Sequence, residues 1–136
     1  MVPEQGALRD GRDERQHPMI PEEFNAFCGS LPSATHVVQW GGADVWKVGG
    51  KLFAVMWAGE DKHAGITFKP TPMSYDILRT QPGLRPAPYM ASRGIRWIQW
   101  YSGESMGAED LKLYLRRSYE LVRESLPRKV QRELAG

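Results

Sequence analysis

Any reaction run by this chain would have to use a small stock of side chains. They are one cysteine (Cys28), three histidines (His17, His36, His63) and the pentapeptide Gly103-Glu104-Ser105-Met106-Gly107, which fits G-x-S-x-G. A serine in that pattern becomes an acyl-transfer nucleophile when it sits on a strained strand-to-helix turn and a histidine later in the chain serves as its base. Ser105 does fall between a predicted strand and a predicted helix, but all three histidines precede it. The chain, at 136 residues, is also too short for that hydrolase architecture. Ser105 is therefore read as a turn or cap residue. The histidines and the cysteine show neither C-x-x-C nor H-x-x-x-H spacing, so no metal site is expected. The glycine pairs Gly41-Gly42 and Gly49-Gly50 build neither G-x-G-x-x-G nor a P-loop, so no nucleotide cofactor is expected either. No catalytic residue is assigned, and the expectation is a protein that is not an enzyme.

What remains is electrostatic. Lys47, Lys51 and Lys69 fall on predicted strands, and Arg85, Arg93 and Arg96 follow with Trp97 and Trp100 beside them. Lysines and arginines on hairpins can hold phosphates, and a two-stranded ribbon can enter a major groove. The candidate DNA-binding set is accordingly Lys47, Lys51, Lys69, Arg85, Arg93, Arg96 and Trp97. The plainer alternative is that the tryptophans are core and the charges are solvated or blunt sheet edges. The residues by themselves lean towards that alternative.

Charge distribution is compatible with both. The net charge is +2, but residues 1–77 hold 7 Lys/Arg against 10 Asp/Glu, whereas 78–136 hold 11 against 6, giving −3 and +5. A basic half is a moderate footprint for phosphate, and solvated helix faces produce the same imbalance. Five tryptophans (Trp40, Trp46, Trp57, Trp97, Trp100) exceed what a sheet backed on one side needs for its core. Some rings should then show on the other face, and aromatic surface rimmed by charge marks a binding site.

Size and composition set the frame for these residues. The length fits one domain, over residues 19–136, large enough to bury about two-thirds of its unfolded surface. The apolar fraction of 41% and charged fraction of 25% are those of an ordinary globule. No apolar run reaches the length of a membrane span, and no signal-peptide pattern opens the chain. A single cysteine excludes an internal disulfide framework and fits a reducing cytoplasm. Residues 1–18 are rich in charge, lack periodicity and read as a disordered tail, with Met19 a possible alternative start.

The elements that must position the candidates follow from local signals. A first helix should start at Pro21, with Phe24, Phe27, Cys28 and Leu31 as its buried stripe. Thr35 to Trp40 reads as a strand, and Asp44–Val48 and Lys51–Trp57 as a hairpin closed by Gly49-Gly50. Strict alternation would put Phe53, Val55 and Trp57 on one side and Leu52, Ala54 and Met56 on the other. Gly59 to His63 is a polar turn, and Ala64 to Lys69 the next strand. Thr71-Pro72 starts a helix whose apolar face is Met73, Ile77 and Leu78. Pro86 and Pro88 hold an extended segment that leads into a strand from Ile95 to Tyr101. The last long helix runs from about Gly107 to Leu126, with Leu111, Tyr114, Leu115, Ser118, Val122 and Leu126 inward. Arg128 to Gly136 reads as a basic, fraying end. Hairpin links with helices before and after predict an α+β two-layer sandwich, an antiparallel sheet with its helices packed on one face.

Three pieces of this pattern also resemble a known family. Lys47-Val48-Gly49-Gly50-Lys51-Leu52-Phe53-Ala54, the run Arg85-Pro86-Ala87-Pro88-Tyr89 leading to Trp97, and Arg117-Ser118-Tyr119-Glu120-Leu121-Val122 are similar to the hairpin, proline-rich segment and helix of the MmcQ/YjbR family. The match covers roughly Ile20 to Leu126. The resemblance implies a CyaY-like, YjbR-like fold and a DNA-binding role, which tips the reading of the basic residues towards DNA. Two rivals stand beside it. One is a protein-interaction module or homodimer, after the likeness of the fold to type III secretion chaperones. The other is a small-ligand pocket lined by Trp46, Tyr89 and Trp97. Met90, Ala91 and Ser92 stand where other members carry histidine and asparagine, so no polar function is assigned to those positions.

Overall fold

A computed structural model describes residues 19–57, 65–88 and 90–135. The expected tail over residues 1–18, the polar turn over 59–63 and Tyr89 fall outside the described residues. The elements run in the order α1 (Pro21–Gly29), β1 (Ala34–Gln39), β2 (Ala43–Val48), β3 (Lys51–Trp57), β4 (Gly65–Phe68), α2 (Pro72–Leu78), β5 (Leu84–Pro86), a 3₁₀ turn (Ala91–Arg93), β6 (Ile98–Trp100), α3 (Ala108–Glu124) and α4 (Arg128–Ala135). The strands form one antiparallel sheet in the order β1-β2-β3-β4-β6-β5. Helices α1, α2 and α3 pack on one face of it, so the chain is the expected α+β sandwich.

Local chemistry explains the elements that are well signalled. Pro21 begins α1 with Glu22 and Glu23 in its first turn, where the helix dipole favours negative charge. Thr71 caps α2 by accepting a hydrogen bond from the Ser74 amide at 3.1 Å. Gly49 and Gly50 hold φ of 59° and 81°, the left-handed pair that a type I′ turn demands. At Gly49 a side chain is excluded twice, because a Cβ would also lie 2.5 Å from Leu126.

The shared core contains Phe24 and Cys28 of α1, Trp46 and Val48 of β2, Phe53 and Ala54 of β3, Ile66 and Phe68 of β4, and Leu111, Leu115, Tyr119 and Val122 of α3. Burial raises the Cys28 thiol above its ordinary range, so it stays protonated and inert.

The hairpin departs from strict alternation. Trp46 pairs with Ala54 but Lys47 pairs with Leu52, leaving Phe53 as an extra residue in β3. Such a bulge puts Phe53 on the helix side together with Ala54, and turns Leu52 to the side of Val55 and Trp57. The bulge also costs the Phe53 carbonyl its regular ladder position. The buried Ser118 hydroxyl of α3 compensates by donating to that carbonyl at 2.6 Å while accepting the Lys69 amide at 2.9 Å. One serine therefore fastens α3 to two strands. Its neighbour Tyr119 donates to the Pro32 carbonyl at 2.5 Å and tethers the loop after α1.

Three further expectations are corrected. Helix α2 turns Tyr75 and Leu78 to the core, and these lie on the opposite side of so short a helix from Met73 and Ile77, which are 75% and 54% exposed. The strand expected from Ile95 begins only at Ile98. Gly94 with φ 75° closes the 3₁₀ turn, and the Ile95 amide folds back to the Met90 carbonyl at 2.9 Å, so Ile95 and Arg96 belong to a loop. The C-terminal stretch is helical rather than frayed. Pro127 precedes its first turn instead of ending the pattern, Gln131 Nε2 donates to the Leu126 carbonyl at 2.7 Å, and Leu134 rests on the core.

Candidate functional site

The face of the sheet away from the helices is ordered by register. Val37, Val45, Val55, Thr67, Gln99 and Arg85 form one row across all six strands. The rings expected on this face are those of Trp40 and Trp57, and with other long side chains they roof it. Val45, Val55, Thr67 and Gln99 are all buried beneath long side chains of the same face. Trp57 Nε1 donates to Thr67 Oγ1 at 3.1 Å, and Arg85 Nε donates to Gln99 Oε1 at 2.8 Å. The Arg85 guanidinium also lies over the Tyr101 ring, 4.5 Å from its centroid. Trp40, held at φ 51°, stacks on Trp57 with centroids 5.4 Å apart. Buried polar groups need partners, and Trp57 and Arg85 supply them here.

The same register gives this face two unlike ends. One end carries the β1–β2 turn and the rings of Trp40, Trp57 and Tyr101. The other is the Gly49-Gly50 hairpin end, where Lys47 flanks the turn on this face and Lys51, opposite the core residue Val48, flanks it on the helix side. Lys69 leaves β4 at that end, one residue past the Phe68–Ile98 pair, and Trp97 precedes β6 there. The Ala87 amide donates to the Trp97 carbonyl at 2.9 Å, closing the last rung between the β5 and β6 chains. Residues 90–96 consequently project as a loop beyond this end, with Arg93 exposed on the 3₁₀ turn and Arg96 exposed 5.8 Å over the Tyr75 ring.

The candidate set therefore divides. Lys47, Lys51, Lys69, Arg93, Arg96 and Trp97 gather at the hairpin end, on the sheet and on the loop beyond it. Arg85 is one step inboard and is engaged with Gln99 and Tyr101, which makes it a structural cation of the roof. Sequence reasoning missed a further contribution. Leu126 packs beside Gly49, so the end of α3 and the start of α4 bring Arg123, Arg128 and Lys129 to the same end of the molecule. The signal was the basic run after Pro127, which reads as a frayed tail when its helix goes unrecognised. Elsewhere on α3, Lys112 bridges Glu23 and Glu109 at 3.0 Å each, Arg117 meets Glu120 at 3.4 Å, and Arg116 lies over the Phe27 ring. The hydrogen bonds that Lys112 donates to Glu109 and Glu23 hold its ammonium above the usual range.

The competing sites do not assemble. Ser105 Oγ donates to the Pro82 carbonyl at 2.5 Å, while Trp100 Nε1 donates to the Met106 carbonyl at 2.8 Å, so the G-x-S-x-G segment is a hydrogen-bonded turn. His36 is bound to Asp44 at 2.8 Å on the far edge of the sheet. Trp46 faces the helices and donates to Asn25 Oδ1 at 2.8 Å, whereas alternation turns Trp97 to the opposite face, so these two rings cannot line one pocket. A different apolar groove, of 370 Å³, runs between α2 and α3 and is lined by Ile77, Leu78, Leu113 and Tyr114 among others. Among the described residues there is no cluster of three His, Cys, Asp or Glu side chains placed to hold a metal. No described helix is long and apolar enough to cross a membrane.

Comparison with known proteins bears on the whole of this arrangement. The YjbR family model matches residues 29–121, a span that takes in the hairpin, the projecting loop and the Ser118 contact. The fold is similar to that of a Deinococcus radiodurans protein with a DUF419 domain, at 20% identity and a TM-score of 0.70, covering 84% of this chain and 86% of that one. It is also similar to a Pseudomonas syringae protein, at 19% identity and a TM-score of 0.62, covering 76% of this chain and 99% of that one. No curated protein matches the chain by sequence.

Proposed function

This chain belongs to the YjbR family, and from that premise we propose that it is a non-enzymatic cytoplasmic protein that binds DNA through its hairpin end. The observation that carries the reading is the gathering of Lys47, Lys51, Lys69, Arg93 and Arg96 at one end, from a hairpin, a strand terminus and a loop that are distant in sequence. Cations spread over such a rim can each neutralise a phosphate of a duplex backbone, which positions the protein without reading bases. Trp97, half-buried beneath them, offers a ring edge to sugar or base. Arg85 takes no phosphate in this scheme, because it is committed to Gln99 and Tyr101.

Fluorescence anisotropy with a labelled duplex tests the proposal. With about four phosphates neutralised, affinity falls roughly a hundredfold between about 50 and 200 mM salt. Absence of binding at low salt, or binding insensitive to salt, removes the proposal.

A further inference from the structure

The two edges of the sheet are protected very differently. Strand β5 is three residues long, contains Pro86 and is followed by Pro88, so its outer edge is short and lacks donors. Strand β1 has none of these devices. It is six residues long, pairs with β2 in six unbroken register steps, and contains no Lys, Arg, Asp, Glu or Pro. Its one ionisable side chain, His36, is occupied by Asp44 on its own neighbour strand. Val37 and Val38 are 37% and 58% exposed, and among the described residues no strand lies outside β1. An uncharged, regular edge of this length presents a row of backbone donors and acceptors suited to another strand.

We propose that β1 is a dimerisation strand, which pairs antiparallel with β1 of a second copy of this chain about a two-fold axis at Val37. The strand's own pattern argues for a second copy. Two-fold antiparallel pairing sets each residue opposite one of the same sheet face. Centring on Val37 places Val37 against Val37, Thr35 against Gln39, and His36 against Val38, so no like charges meet and apolar meets apolar at the axis. Centring on His36 would instead press two imidazoles together. The product is one continuous sheet of two copies, an isologous interface, and it leaves the hairpin ends free.

Sedimentation velocity and light scattering on the full chain, across a dilution series, test the proposal. The expected mass is twice the chain mass of 15.4 kDa. Val38→Lys places a charge on the edge and is expected to return the mass of one chain with an unchanged far-ultraviolet circular dichroism spectrum. Val37→Cys is expected to give a disulfide-linked dimer under mild oxidation, because cross-strand partners at the axis approach closely enough to bridge. Thr35→Cys, which faces Gln39, is expected to cross-link far more slowly, and the buried Cys28 gives no background. A monomeric wild-type chain, a Val38→Lys variant that stays dimeric, or equal cross-linking at positions 35 and 37 would each overturn the proposal.

Discussion

The sheet has two faces that solve the same problem by different means. On the helix side, rows of apolar side chains from β2, β3, β4 and β6 meet α1, α2 and α3, and the polar atoms among them, the Ser118 hydroxyl at the β3 bulge and the Trp46 and Trp100 ring nitrogens, each have a hydrogen-bond partner. On the other side no helix arrives, yet Val45, Val55, Thr67 and Gln99 are equally buried. There the roof is made of the sheet's own long side chains, Trp57 and Arg85 above all, each paying its way with a hydrogen bond to the polar residue beneath it. A face closed by helices is committed to stability. A face closed by its own side chains keeps a charged rim in solvent, and that rim is where a phosphate backbone can be held.

The largest test of this contrast is Phe53→Ala. Phe53 is fully buried on the helix side and meets Tyr119 edge-on at 5.4 Å, so its loss should cost about 3–5 kcal/mol in urea unfolding. Ser118→Ala should cost less, about 1–3 kcal/mol, because it strips partners from the Phe53 carbonyl and the Lys69 amide without opening a large cavity. Trp57→Phe, on the roofed face, should cost about 1 kcal/mol through the orphaned Thr67 hydroxyl. If Trp57→Phe proved as damaging as Phe53→Ala, the two faces would be energetically alike and the distinction would fail.

How much of this could be read from residues alone depended on how local the cause was. Pro21, Thr71 and the Gly49-Gly50 pair act within a turn of chain, and the elements they start or close stand where the sequence puts them. The β3 bulge was not legible, because the serine that satisfies its carbonyl lies 65 residues away. Met73 and Ile77 misled for a similar reason: a two-turn helix has two usable faces, and only the docking partner selects the one with Tyr75 and Leu78. Helix α4 was missed because its support comes from Ser33 and the core, contacts that no local pattern announces. Of the candidate site, Lys47 and Lys51 are neighbours through the hairpin itself. Arg93 and Arg96 join them only through the Ala87–Trp97 rung, and Arg85 is withdrawn by a glutamine across the strand.

Titration of duplex DNA into isotopically labelled protein, followed by nuclear magnetic resonance, separates the two ends of the roofed face. The expected result is amide shifts confined to Lys47–Lys51, Lys69 and Arg93–Trp97, and their loss when Lys47, Lys51 and Lys69 are all changed to glutamine, with stability altered by no more than about 0.5 kcal/mol. Shifts centred on Trp40, Trp57 and Tyr101, or on the α2–α3 groove, would contradict it.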